Sequence, residues 1–584
     1  MSALQRSYYW WKKTISAFYI SLNNYLVSRM WLSTLLVFTF FFLIFLWTYF
    51  TVSTVSSPDD QWFHFRFAQS MLKNGILGSF WHFKSIYFSK MASDQYFVYY
   101  NFLSYLFVIP FTFIHPLFLG MKLFAVVVAS FIFTVFYWCA KRLGVRYAFL
   151  GVLAIFAIVN YASIWRYFLS RPYTVAPALL LFLIYFLSRR MYVAQFIISF
   201  LYLYWHCSTF FFPLIVVGCF FLFEGLYRNK VDWNSVFAVF GGVVTAIGVS
   251  YLLAPGFLYF VKDTEIGIYW QTIIGIGKKV PLPEGAELYP VNFFNYLQQN
   301  TLLISGLLIG IVVEIRKYFV FREQRKNGYF ADSLVVTNEV RLAILRASLF
   351  LLSIGFFLGV ITISLRFADF FIFFAGFYLI LLFGEILNDI QLKTIYIKQS
   401  LIIGLFIVIG YLFVSNILLL QEQFANAGVA PYTMQTIGNW LATNTQKGDV
   451  VFNANWSWFT QLYYWSPDNN YVIGLEPRFL YDYNHPLYWK WWHITADGYV
   501  CDTENCSAQV AAQKKAVLTQ SDLKDWEQTE GNLVATTILN DFHSKYIVTA
   551  QGLYPGLDIL LENNNHFKLA VKDIHGYEVY KVIP

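Results

Sequence analysis

Charge is what this chain has least of: Asp, Glu, Lys and Arg make up 13% of its 584 residues, about half the share typical of soluble chains. An ordinary water-soluble protein is thereby excluded. The sequence has no P-loop, no Rossmann glycine fingerprint and no Gly-x-Ser-x-Gly elbow, which removes the usual nucleotide-binding and serine-hydrolase readings. His206, His485 and His493 show no metal-ligand spacing. Internal repeats and low-complexity segments are absent too. Of only five cysteines, Cys139, Cys207 and Cys219 fall in apolar segments and read as packing residues. Cys501 and Cys506 lie close together near the C-terminus, and a disulfide is open to them if that region faces an oxidising compartment.

What the chain has in abundance is apolar surface, 58% hydrophobic and 21% aromatic residues. Apolar runs of about twenty residues, the length that crosses a ~30 Å hydrocarbon core, recur from Met30 to Leu420 and then stop. This predicts a polytopic α-helical membrane domain over 1–420, with about eleven transmembrane helices and large external loops at 53–116 and 262–298, followed by a soluble domain over 421–584. Charge divides at the same place. The tail holds 17 acidic and 10 basic residues, the membrane part 16 and 31. The basic residues sit in short loops and report topology rather than nucleic-acid binding. Trp31 to Val52 has no small-residue cleavage pattern after it and reads as a signal anchor leading out. With every basic loop inside, the tail is outside, and the aromatic stretch Phe97 to Ile114 is expected along the membrane surface. Helical and strand patterns alternate in the tail, from a helix near Thr433–Thr445 and strands at Asp449–Asn453 and Tyr471–Leu475 to Val579, so it is expected to be an α/β domain.

Several polar groups stand out against this apolar background. Asp59 and Asp60 follow the first helix, in Asp60-Gln61-Trp62-Phe63-His64-Phe65-Arg66. Adjacent carboxylates at a membrane surface are costly unless they bind a cation or lie in water. A solvated turn is the plain alternative. Glu287 lies in the second long loop, in Glu287-Leu288-Tyr289-Pro290, with Asp263 and Glu265 less specific. Arg366 opens a membrane helix, where an arginine either serves a site or snorkels to the interface. Arg166 and Arg171 stand in the loop 165–173, which has no acid.

These residues resemble a family: the oligosaccharyltransferase catalytic subunit and its single-chain bacterial and archaeal relatives, in the GT-C class of membrane glycosyltransferases. There an acid-x-Trp-Phe-x-x-Arg stretch follows the first helix, and its acid, matching Asp60, is a catalytic metal ligand. Met71-Leu72-Lys73-Asn74-Gly75 continues the likeness. Glu287, three residues before Pro290, is similar to a loop glutamate that links metal and acceptor. Arg366 is similar to an arginine that contacts the lipid-carrier phosphate. Two departures stand against these matches. Where the family has an Asp-x-Asp or Asp-x-Glu pair, this chain has Arg166 and Arg171, so the Mn²⁺ or Mg²⁺ that the resemblance implies at Asp60 and Glu287 is put in doubt. Where the family's tail has Trp-Trp-Asp, this one has Asn455-Trp456-Ser457-Trp458, which puts asparagine-linked protein glycosylation in doubt.

The resemblance implies a glycosyltransferase moving sugar from a polyprenyl phosphate or pyrophosphate to a protein or glycan acceptor on the outer face of a bacterial cytoplasmic membrane. Asp60, Asp59 and Glu287 would be catalytic, with Asp60 and Glu287 holding any metal. Arg366, Arg171, Arg166, His64 and Arg66 would bind the carrier phosphate, where fixed positive charge gains most. Asn455, Trp456, Ser457 and Trp458 would meet the acceptor. Pro477 to His485 and Trp489 to His493 form a second aromatic stretch that reads as a sugar platform or as domain core. Two other functions are weighed. A lipid or sugar transporter or flippase should show repeated halves and broken helices at the midplane, and a non-catalytic envelope assembly protein would not need Asp60 or Glu287.

Overall fold

The computed structural model describes residues 30–55, 60–81, 83–94, 101–169, 171, 174–253, 290–326, 338–389, 395–428, 430–474, 476–506 and 520–584. The first apolar run is helix α1 (Met30–Phe50), and the loop after it folds as α2 (Asp60–Trp81), α3 (Ile86–Asp94) and α4 (Phe102–Val108). Then come α5 (Leu117–Arg142), α6 (Ala148–Ile158), α7 (Tyr161–Arg166), α8 (Ala176–Arg189), α9 (Tyr192–Trp205), α10 (Phe212–Arg228) and α11 (Trp233–Leu253). Beyond the second loop lie α12 (Phe293–Gln299), α13 (Thr301–Lys326), α14 (Asn338–Thr362), α15 (Phe367–Asp389) and α16 (Ile395–Ala427).

The described parts of the segments expected to cross are helical. Among the described residues, 7 helices are long and apolar enough to cross a membrane, namely α1, α5, α10, α11, α14, α15 and α16. The chain is an integral membrane protein. Helices α6, α8 and α9 have 11, 14 and 14 residues, so at about 1.5 Å per residue they rise only about 16–21 Å, short of a ~30 Å core. In the described part of the stretch 97–114, residues 101–114, α4 and the 3-10 turn Ile109–Phe113 after it are each too short to span. They pack on α5 through Phe111 and Phe124, and on α9 through Phe107 and Trp205. Gly120 permits that approach, because a Cβ there would strike the Phe111 carbonyl.

A helix that ends at membrane depth strands its last carbonyls away from water, so each such end needs a donor. Asn416 on α16 supplies one to α6: its Nδ2 donates to the carbonyls of Phe156 at 2.8 Å, Ala157 at 3.1 Å and Val159 at 2.9 Å. Lys122 on α5 does the same for α1. Its buried ammonium donates to the carbonyls of Tyr49, at 3.1 Å, and Val52.

The two ends of the bundle differ in chemistry. At one end Arg189 of α8 donates to the Arg142 carbonyl at 2.7 Å, and Arg190 pairs with Glu224 of α10 at 3.0 Å. Within the bundle Arg346 of α14 joins Glu314 of α13, at 2.6 Å, to Glu385 of α15. At the other end α1 and α16 deliver the chain to the first long loop and the C-terminal domain, tied by Thr54 donating to the Phe424 carbonyl.

That domain comprises α17 (Gln435–Asn444), α18 (Phe459–Trp465), α19 (Arg478–Tyr483), α20 (His485–Asp497), α21 (Gln520–Asn540) and α22 (Pro555–Asn563) around a sheet. Its strands are β1 (Val450–Asn453), β2 (Asn470–Tyr471), β3 (Ser544–Ala550), β4 (Phe567–Lys572) and β5 (Tyr577–Val582), in the order β2-β1-β3-β5-β4. The first three pair in parallel, and β5 and β4 extend them antiparallel. Val451, Phe452, Ile547 and Val548 are buried in consecutive pairs, because helices cover both faces of the parallel half. The strand expected to reach Leu475 stops at Tyr471. Cys501 and Cys506 are joined by a disulfide.

The domain and the first long loop are packed together. Tyr471 N donates to the Lys84 carbonyl at 2.8 Å, and Phe83 meets Phe459 and Tyr463 with ring centroids 5.4 and 5.7 Å apart. Replacing Asn416 with Leu should test the capping account. It strands three carbonyls at a cost of about 1–3 kcal/mol for each left without a donor, so the variant in detergent should melt well below the wild type. Coincident melting curves would show that the end of α6 does not depend on Asn416.

Candidate active site

The break after α6 is what delivers the first functional side chain. Val159 is extended, and Asn160 starts α7 by accepting the Ala162 N–H on its side chain at 2.7 Å. Six residues later Arg166 turns its fork onto Asp369: Nε to Oδ1 is 2.6 Å and the second bond, to Oδ2, is 2.9 Å. Both residues are buried. Such two-point charge-assisted pairing is the strong form of the interaction. Asp369 lies in the first turn of α15, where the helix dipole favours a carboxylate. Arg366 stands three residues before it, its backbone N–H donating to the Ser364 hydroxyl at 3.2 Å. Asp369 is the residue that sequence reasoning missed. Its signal was there: an acid at the head of an otherwise apolar membrane helix.

Helix α2 is keyed to the same place. Gln61 Nε2 donates to the Phe168 carbonyl at 2.8 Å, which ties the start of α2 to the turn after Arg166. His64 and Arg171 line one small cavity together with Ser104, Tyr105, Val175 and Trp205. His64 Nδ1 lies 3.3 Å from the Tyr105 hydroxyl. Arg66 faces elsewhere: its Nε donates to the Tyr464 carbonyl at 2.8 Å, its NH1 to Gln69 at 2.8 Å, and its guanidinium covers the Tyr464 ring at 4.9 Å. Burial lowers its pKa below the ordinary arginine value, and Tyr464 and Tyr463 draw it back up. Arg66 thus clamps α2 to α18, alongside Trp62, whose ring centroid is 4.5 Å from that of Tyr464.

The second loop returns to the same region. Val291 N donates to the Val360 carbonyl at 3.2 Å, and Asn160 Nδ2 to the Gln299 carbonyl at 3.2 Å. Tyr296 of α12 is buried, and its phenol pKa is raised by that burial and further by the charge of Asp369. Asp60 is the first residue of α2. Asp59, Glu287 and the side chain of Asp60 lie outside the described residues. Contacts therefore link the start of α2 to the turn after Arg166, Arg166 to the first turn of α15 that follows Arg366, and His64 to Arg171, and they place Arg66 at the joint with the tail.

In the tail, Asn455 accepts the Ser457 N–H at 2.9 Å and so caps the turn Trp456–Trp458. Trp458 is buried edge-on against Tyr577, at 5.3 Å. Both hold the turn, while Trp456 and Ser457 are half-buried. The stretch Trp489–His493 belongs largely to the domain core: Trp491 donates to the Asn453 carbonyl at 3.2 Å, and His493 is buried beside Asp497. Among the described residues no three His, Cys, Asp or Glu side chains cluster for a metal, and Asp369 gives both oxygens to Arg166.

The Arg166–Asp369 pair makes a prediction about stability. Asp369→Ala takes away the carboxylate on which the buried fork is set and should cost about 3–5 kcal/mol. The double change Arg166→Met with Asp369→Leu should recover most of that loss in detergent unfolding. A single variant as stable as the wild type would remove the pair from the architecture of the site.

No protein-family model matches the sequence, and no curated protein is similar to it. Solved structures do resemble the fold. The apo crystal structure of the Archaeoglobus fulgidus oligosaccharyltransferase is similar over 94% of this chain and 75% of its own, with a TM-score of 0.54 at 12% identity. ArnT from Cupriavidus metallidurans bound to undecaprenyl phosphate is similar over 94% of this chain and 97% of its own, with a TM-score of 0.52 at 11% identity. Likeness at such identity is likeness of fold. The chain has the GT-C membrane fold in a divergent form, with a small mixed sheet in its C-terminal region.

Proposed function

We propose that this protein is a membrane glycosyltransferase that moves a sugar or oligosaccharide from a polyprenyl phosphate or pyrophosphate to a protein or glycan acceptor. The observation that supports this most is the meeting, at the domain-bearing end of a GT-C bundle, of α2 with the Arg166–Arg171 turn and the Arg366 end of α15. The undecaprenyl phosphate held by ArnT supports a donor of that class. Asp60 accepts the acceptor's proton as its nucleophilic atom bonds to the anomeric carbon. The bond from that carbon to the carrier phosphate oxygen breaks, and the phosphate leaves with the electron pair. Arg366 and Arg171 stabilise the charge that develops there, and Arg166 positions them through Asp369. Asp59 and Glu287 assist at the acceptor, to which Asn455, Trp456, Ser457 and Trp458 also bind.

A divalent cation held by Asp60 and Glu287 would polarise the acceptor or the phosphate. The disulfide in the tail supports an oxidising side for that domain, and with the basic ends of the helices at the opposite end it fits the outer face of a bacterial cytoplasmic membrane.

The purified full chain, given labelled lipid-linked glycans from a crude polyprenyl donor pool, should form product. Asp60→Ala should lower the rate by about a hundredfold or more, and Arg366→Ala by roughly a hundredfold. Parallel assays with Mn²⁺ and with EDTA read the metal dependence directly. Product formed equally by the Asp60 variant, or transbilayer movement of the donor without transfer, would replace this reading with transport.

A further inference from the structure

Near the Arg166–Asp369 pair two phenols are buried with no direct bond. Tyr167, in the turn after α7, and Tyr296, on α12, are 2% and 3% exposed. Neither hydroxyl has a hydrogen-bond partner among the described residues. A buried phenol ordinarily finds one, because a hydroxyl taken from water and left unpaired loses its bonds and gains none. The two belong to one place. Tyr167 follows Arg166 directly in sequence, and the Tyr296 ring lies 6.0 Å from that of Phe371, two residues beyond Asp369 on α15. Each phenol is within electrostatic range of Asp369 and Arg166, and Tyr167 is within range of Tyr296. Asp369 has capacity for more than its arginine: each of its oxygens takes one bond from Arg166, and a carboxylate offers about four acceptor positions.

Buried polar groups that lie near one another but out of direct reach are what an ordered water joins, typically through about three hydrogen bonds to groups otherwise left unsatisfied. Two donors and one acceptor stand ready here. An anion would face the Asp369 carboxylate and a cation the Arg166 guanidinium, so the occupant is neutral, and water both accepts and donates. We infer that Tyr167, Tyr296 and Asp369 enclose a site for ordered water, in which the two phenols donate to the water and the water donates to the carboxylate. Through that site α12, which follows the second long loop, is tied to the ion pair that joins α7 to α15.

The test uses the full chain in detergent. Tyr167→Phe and Tyr296→Phe each remove one hydroxyl and nothing else. Where the hydroxyl holds water, its loss should lower the melting temperature, by about 1–2 °C for each variant. Removing a hydroxyl that bonds nothing would leave that temperature unchanged or raise it. The same two changes are then made in the Arg166→Met, Asp369→Leu background, where the acceptor is gone, and there they should lower it by less or not at all. A map of the wild type at a resolution that shows ordered water should place water density within hydrogen-bond distance of both hydroxyls and Asp369, and it decides alone should the background variant fail to fold. Losses confined to the native background, with that density, support the site. Melting temperatures unchanged or raised by both Phe variants, equal losses in the two backgrounds, or a map without that water overturns it.

Discussion

The buried Arg166–Asp369 pair is the constraint on which the rest of the site depends. Neither charge is tolerable alone in an apolar bundle, and each is secured only by the geometry of the other. The partners stand 203 residues apart in sequence, so the pair fixes α7 against α15. The turn carrying Arg171 and the helix start carrying Arg366 are thereby held in one relation. Gln61 then keys α2 to the same turn through the Phe168 carbonyl. Asp60 at the head of α2 inherits its place from a chain of contacts that starts at this ion pair.

Such a chain is possible because several helices stop early. A full-length span carries its side chains along one straight axis, whereas α6 ends after 11 residues and lets α7 start in a new direction. Stopping early in lipid strands carbonyls, and Asn416 supplies the missing donor at the end of α6. An intramembrane lysine is a functional candidate by default. Lys122 donates to the carbonyls of Tyr49 and Val52 at the end of α1, eight residues or so before the acidic pair, so its contribution to any site is one of position.

The sequence made the membrane class, the helix order and the α/β tail readable, because hydropathy and loop charge are local signals that lipid enforces strongly. Pairing was not readable. Arg166 looks like a candidate phosphate ligand until α15 brings Asp369 to it, and Asp369 is hidden in an apolar run where nothing nearby suggests a partner. Arg66 shows the same limit. Its spacing from Asp60 resembles a motif, yet its contacts are with Tyr464, nearly four hundred residues on. Likewise, Trp458 and Trp491 read as a sugar-facing surface in one dimension and are buried in three. The domain's docking on α2 and α3 through Phe83, Phe88 and Tyr471 left no mark beyond a general excess of aromatics.

The electrostatics also bear on how the proposed site could work with arginines rather than acids in the loop 165–173. Two carboxylates in the loop 165–173 would attract a cation. Arginine in that loop, set on Asp369, contributes a neutral pair that holds its neighbours. In the proposed mechanism Arg366 and Arg171 add further positive charge. Fixed positive charge in a low-dielectric setting acts on a leaving phosphate without reorganising as the reaction proceeds, and a guanidinium, unlike a metal, cannot be lost to solution. A bundle that replaces acids by arginines must therefore keep one acid to seat the first arginine, and Asp369 occupies that place.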